Sequence, residues 1–236
     1  MIVTPAATRT PRPGRVLARP ARDAERTRRA ILAAATDEFA RHGLGGARVD
    51  RIAARAKSNK RMLYYYFGSK EKLFLAVLEQ AYDNIRREEQ KLSLLDHDPV
   101  AGVSELVAFT WNYFVGHPEF ITLLNSENLH RARHLRRSKQ ILAMNSPLIE
   151  TLGTLLRRGQ REGVFRDGVD PLQLYISIAA LGYFFLSNSH TLSTVFGRDL
   201  FAPAQRRARL DHMVAMVLGY LSKPADARPS RRTARR

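Results

Sequence analysis

The sequence predicts an all-α fold of about nine helices, three short ones grouped at the N-terminal end and a longer helical body behind them. Two observations carry this. From Asp23 onward apolar residues recur at three- and four-residue spacing, with Gly, Pro or a capping residue at the breaks, and no stretch shows the alternation of a half-buried strand. No internal repeat is present.

The elements follow in order. Asp23 is a candidate N-cap, after which Ile31, Leu32, Ala35 and Phe39 keep helical spacing until His42 and Gly43, where a left-handed glycine ends the helix. A short second helix turns Val49, Ile52, Ala53 and Ala56 inward. Arg48 stands where Ser or Thr would cap it better, and Asp50 in its first turn compensates in part. After the turn Lys57 to Lys60, a third helix carries Leu63 and Phe67 one turn apart, with Asn59 as its N-cap and Gly68 as its stop. Ser69 caps a fourth helix, whose stripe runs Leu73, Phe74, Val77, Leu78, Ala81, Tyr82 and Ile85. The opposite face of that helix is read as charged, with Arg86, Arg87, Glu88 and Glu89. Further helices are expected at about 100–115, 119–130, 147–162, 171–188 and 203–221.

Charge is unevenly placed. The 236 residues hold 39 Lys and Arg against 22 Asp and Glu, yet residues 74–221 are nearly balanced, with 16 basic and 15 acidic groups. The excess sits in residues 23–73, with 12 basic and 6 acidic, and in two flanks: 1–22, with five Arg and no acid, and 222–236, with six basic residues and one acid. A polyanion-binding head on a neutral body has this layout. The flanks, rich in Arg and Pro, read as a disordered basic arm and tail. With no cysteine there is no disulfide framework, thiol nucleophile or Cys-type zinc site. The longest apolar stretch, Leu172 to Leu186, falls short of the roughly 20 residues of a spanning helix. The N-terminus also lacks the apolar segment of about 7 to 15 residues found in a secretory signal. A cytoplasmic protein with no membrane partner is expected.

Three short helices, the last two joined by a tight turn and carrying a net charge of +6, form a helix-turn-helix candidate at about 48–67. In that geometry the third helix enters the major groove, exposing Lys60, Arg61, Tyr64 and Tyr65 while Leu63 and Phe67 face inward. Consecutive helical residues point about 100° apart, so at least one of Tyr64, Tyr65 and Tyr66 must leave the core.

These residues resemble the TetR-type transcriptional regulators. The likeness runs from about Glu25 to Ile85, through Phe39-Ala40 and Gly43, Ile52-Ala53, Leu63-Tyr64, Phe67, Ser69-Lys70-Glu71 and Leu73. Lys57 departs from it, standing where the family usually has a turn glycine; a lysine at positive φ costs about 1 kcal/mol more. The string NKRMLYYYFGSKEKLF, with Ser126-Glu127-Asn128-Leu129 and Phe196-Gly197-Arg198-Asp199 further on, is similar to one branch, the repressors of pyrimidine utilisation and nicotinate degradation. The resemblance implies a DNA-binding domain at 23–85 and a ligand-binding, dimerising domain at 86–221. It implies double-stranded operator DNA, a small-molecule effector and a second copy of the chain as partners. DNA contact falls to Lys60, Arg61, Tyr64, Tyr65, Tyr66 and Lys70, with Arg48 and Asn59 at the helix starts.

Within the body, the apolar segment 171–188 and the last helix supply a dimer seam of Tyr175, Ile178, Leu181, Phe185, Leu210, Met213, Val214 and Val217. Trp111, Phe114, Glu127, His130, Arg133 and Phe184 are the candidate ligand contacts, apolar walls with a few polar groups. Glu127, His130 and His134 share one helix face, but neither a metal nor a cofactor is expected. Two alternatives compete with a ligand-released repressor: nonspecific nucleic-acid binding through the basic flanks, and an all-α enzyme. Against the enzyme stands the lack of a phosphate-cradling glycine loop, an HExxH motif or a GxSxG elbow.

Overall fold

The computed structural model describes residues 19–223, with the backbone alone for 19–21, 142 and 144–146. The described residues form ten α-helices: α1 (Arg19–Gly46), α2 (Val49–Arg55), α3 (Lys60–Phe67), α4 (Lys70–Gln90), α5 (Pro99–Gly116), α6 (Pro118–Leu129), α7 (Lys139–Arg161), α8 (Pro171–Ser187), α9 (Ser189–Phe196) and α10 (Pro203–Leu221). Two 3-10 turns, Leu94–Asp96 and Leu135–Arg137, lie between them. Gly43, at φ 61° and ψ 177°, breaks α1, so eleven helical stretches stand where about nine were expected. The basic arm and tail fall outside the described residues except at their inner ends, where α1 already begins at Arg19.

Two of the differences have local causes. α7 starts at Lys139 rather than near Pro147, because Ser138 Oγ accepts the Ile141 N–H at 3.2 Å and opens the helix ahead of the proline, which lies inside it. α9 has no sequence mark of its own, because Asn188 both closes α8 and opens α9, with no Gly or Pro between them at the break.

α1, α2 and α3 pack with the N-terminal half of α4 around one core of Ile31, Phe39, Ile52, Leu63, Phe67, Leu73 and Phe74. Phe39 and Phe74 meet edge to face at 5.0 Å. Leu123 of α6 completes this core from the body side. A second, larger core joins α5, α7, α8 and α10 through Leu106, Trp111, Leu152, Leu155, Ile178, Met213 and Val217. Close approach at the end of α7 depends on Gly159, since a Cβ there would lie 2.1 Å from the Phe165 ring. Between the two cores, Ile85, Tyr113, Phe114, Phe120 and Ile121 form a third cluster. α4 therefore runs from the head core to the centre of the body.

Candidate nucleic-acid interface and effector cavity

α3 is held from below and free above. Asn59 Oδ1 accepts the Met62 N–H at 2.9 Å, so Asn59 is occupied as a cap, while Leu63 and Phe67 lock the inner face. Tyr64 and Tyr65 stand out, Tyr65 at 77% exposure, while Tyr66 is half-buried against the head core, its ring edge-on to Tyr65 at 5.2 Å. Arg61 is exposed with no ion-pair partner among the described residues. Lys60 pairs with Asp50, which also lies 3.9 Å from Arg48, so one carboxylate neutralises two of the expected contacts in the free protein. Lys70 is half-buried at the start of α4.

The cap missing from α2 comes from elsewhere in the chain. Glu38 of α1 is buried, and its Oε1 accepts the Arg48 N–H at 2.9 Å and the Arg51 Nε–H at 2.7 Å. Burial pushes the Glu38 carboxyl up, but the bonds from Arg51 and Arg48 and the Arg51 charge outweigh it, and the carboxyl lies below its ordinary value. Lys57 takes the left-handed conformation, at φ 48°, at the position where the family has glycine.

Behind the head, α4, α5, α6, α7 and α8 line an apolar-walled, partly open cavity of about 470 Å³, of a size that suits a small molecule. Phe114 and Phe120 line it with Tyr82, Leu124, Tyr175 and Tyr183. Arg86 stands in its wall and also in that of an adjoining cavity of about 290 Å³ lined by Glu89. Arg86 and Glu89, expected on the solvent face of α4, are instead buried, with side chains 8% and 3% exposed. The register explains it, because Arg86 follows Tyr82 and Glu89 follows Ile85 by four residues, continuing the inward stripe. Arg86 Nη1 donates to Glu89 Oε2, and Nη2 donates to the Tyr175 hydroxyl at 2.6 Å. Arg86 Nε and Glu89 Oε1 are buried with no hydrogen-bond partner among the described residues. Burial pushes the Glu89 carboxyl up to about 7 despite the adjacent guanidinium.

Of the expected ligand contacts, only Phe114 lines this cavity. Trp111 is buried in the body core against Phe185, at 5.6 Å between rings, while Arg133 and Phe184 are exposed. Glu127 is buried and spent on its own chain: Oε1 accepts the backbone N–H of His134 and Leu135 at 2.8 and 3.0 Å, and Oε2 lies 2.6 Å from His134 Nδ1. This clamp holds Arg131 and Ala132 at φ 55°, a left-handed conformation that costs roughly 1–2 kcal/mol per residue. His130 Nδ1 lies 2.7 Å from the Ser126 carbonyl. Among the described residues, no group of three or more His, Asp or Glu is placed to hold a metal.

The expected dimer residues also divide. Ile178, Met213 and Val217 are buried in the chain's own core, because the rows 174–178–182 and 213–217–221 face inward. Tyr175 belongs to the cavity. Leu181, Phe185, Leu210 and Val214 are half-buried, and Arg209 lies over the Phe185 ring at 5.3 Å. Among the described residues, no helix is long and apolar enough to cross a membrane.

Residues 31–77 match the family model for bacterial regulatory proteins of the tetR family, and residues 99–217 match that for the tetracyclin repressor-like C-terminal domain. The chain is 46% identical over 191 residues to the HTH-type transcriptional repressor NicS of Pseudomonas putida, covering 81% of this chain and 89% of that protein. It is 30% identical to the HTH-type transcriptional regulator RutR of Escherichia coli K12, covering 73% and 80%. The crystal structure of SCO4942 from Streptomyces coelicolor superposes with a TM-score of 0.63 at 27% identity, over 84% of this chain and 99% of that one.

Proposed function

The chain belongs to the TetR family of bacterial transcriptional regulators, and we propose that it acts as a homodimeric repressor released from its operator by a small molecule bound among α4 to α8. The observation that carries this reading is the free outer face of α3, with Arg61, Tyr64 and Tyr65 exposed on a helix whose inner face is fully engaged. Arg61 reads a base edge, and Tyr64, Tyr65, Lys60 and Lys70 hold phosphates, with Lys60 and Arg48 exchanging Asp50 for the DNA backbone. Tyr66 packs rather than reads, and Asn59 acts as a cap.

Two copies pair through α8 and α10, where Leu181, Phe185, Leu210 and Val214 with the exposed Phe184 leave apolar surface uncovered within one chain. That sets two recognition helices about 34 Å apart, one DNA turn. Residues 23–85 make the reading unit and 86–221 the sensing and pairing unit. α4 and α6 link them, since each has residues in the head core, Phe74 and Leu123, and others on the cavity, Tyr82 and Leu124. A ligand preferring one head spacing needs a coupling of about 1–3 kcal/mol to shift operator affinity 5- to 150-fold. The relatives are named as repressors and regulators of transcription, which sets the enzyme alternative aside.

Binding of the full-length protein to DNA from upstream of its own and neighbouring genes, against scrambled DNA across a salt series, tests the reading. A protected site with two symmetric halves is expected. Equal, steeply salt-dependent binding to every DNA would overturn it in favour of the basic flanks.

A further inference from the structure

We infer that the effector is an organic monoanion whose carboxylate replaces Glu89 on the Arg86 guanidinium, and that Glu89 takes up a proton from water as it is displaced. The inference rests on the cavity being the effector site. Its ground is the state of the buried Arg86–Glu89 pair: a guanidinium in the wall of both the apolar-walled cavity and the adjoining one, and a carboxylate in the wall of the adjoining one, each with one polar atom unanswered among the described residues. A fully satisfied buried ion pair would be a structural element; a half-satisfied one leaves hydrogen-bonding capacity that an incoming ligand can complete. Tyr175 is positioned to complete it, since its hydroxyl accepts from Arg86 at 2.6 Å and retains its own proton to donate. The aromatic walls, Phe114, Phe120, Tyr82 and Tyr183, take the apolar body of the ligand.

The exchange balances in charge. The ligand brings one negative charge, Glu89 loses one by protonation, and Arg86 stays cationic throughout, so no net charge is added to the interior. The surroundings leave Glu89 as the group that titrates. Tyr82 on the same helix and Tyr175 on α8 are held neutral by burial, and burial pushes Tyr113 of α5 up to about 12. From α7 the pair meets Pro147, Leu148 and Thr151, which carry no charge; Glu127 of α6 faces Tyr82, Asp96 lines the adjoining cavity, and Glu88 is exposed. With Glu89 near 7, the proton is already in place at pH 6 and must be supplied at pH 8.

The test is calorimetric titration of the full-length protein with benzoate and nicotinate, each against its amide, at pH 6 and pH 8 in two buffers of different ionisation enthalpy. The acids are expected to bind at least about tenfold more tightly than the amides, as a charge-assisted bond to a buried arginine implies. Their affinity should fall about tenfold from pH 6 to pH 8, with close to one proton taken up at pH 8. Glu89→Gln should abolish both the proton uptake and the pH dependence. Arg86→Met leaves Glu89 buried alone and can cost folding, so Arg86→Met/Glu89→Gln carries the matching test and should bind acid and amide alike. Equal binding of acid and amide by the wild type, no binding of either acid, or proton uptake that persists in Glu89→Gln would each overturn the inference. Operator binding by the same preparations separates the two readings: a protein that holds its operator but responds only to neutral compounds refutes the charge exchange and leaves the repressor standing.

Discussion

Two buried carboxylates, Glu38 in the head and Glu89 in the body, are treated in opposite ways. In the head, Glu38 is as buried as any core side chain, yet it is answered by Arg48, Arg51 and, at 3.9 Å, His42. In the body, Arg86 and Glu89 are buried together with a nitrogen and an oxygen unanswered beside empty space. A reading element needs one fixed shape, which full satisfaction and close packing provide. A sensing element needs a shape that something else completes. On the proposed reading, the contrast suits the head to a fixed shape and the body to a shape that a ligand shifts.

Core truncation should break the contrast most sharply. Phe39→Ala should destabilise by about 3–5 kcal/mol and remove operator binding, since the ring is fully buried against Phe74. Leu124→Ala, half-buried on the cavity wall, should cost about 1 kcal/mol. Urea titration of both variants measures the difference, and equal costs would mean the cavity is as tightly packed as the head.

Next comes Glu38→Ala, which removes the α2 cap and leaves Arg51 without its partner, for an expected loss of about 2–3 kcal/mol at pH 7. Because the folded carboxyl lies below its unfolded value, this stabilisation is present above the ordinary carboxylate range and disappears as pH falls through the folded value. Thermal melts of wild type and variant should therefore converge under acid conditions.

Arg61→Ala leaves the fold intact and should cost about 1–3 kcal/mol in preference for operator over scrambled DNA, read by fluorescence anisotropy. If all DNA weakens equally, Arg61 contacts phosphate instead. The smallest effect belongs to Asp50→Asn. Freeing Lys60 and Arg48 from an exposed carboxylate should tighten binding to any DNA by under about 1 kcal/mol and steepen its salt dependence.

Much of the head was legible in the sequence because its signals are local. Asn59 and Ser69 cap α3 and α4, each accepting a backbone N–H three residues ahead. The outward turn of Tyr64 and Tyr65 follows from 100° per residue. The cavity proposed as the effector site was much less legible. Trp111, Glu127, His130, Arg133 and Phe184 were the residues that composition singled out, but the groups facing the cavity are Arg86, Tyr82, Tyr175 and Tyr183. The available signal was the stripe of α4, which continues past Ile85 to Glu89.

What the sequence determined by itself was the helical class, the position of the positive charge, the exposed outer face of α3 and the family. These depend on periodicity, capping and composition, which act within a turn or two of helix. Tertiary structure alone decided that Glu38 caps a helix ten residues away, that Ile178, Met213 and Val217 face inward, and that Arg86 meets Tyr175 across 89 residues of chain. Whether a charge at a given helical position is solvated or buried depends on which neighbour covers that face, and packing between distant segments settles it.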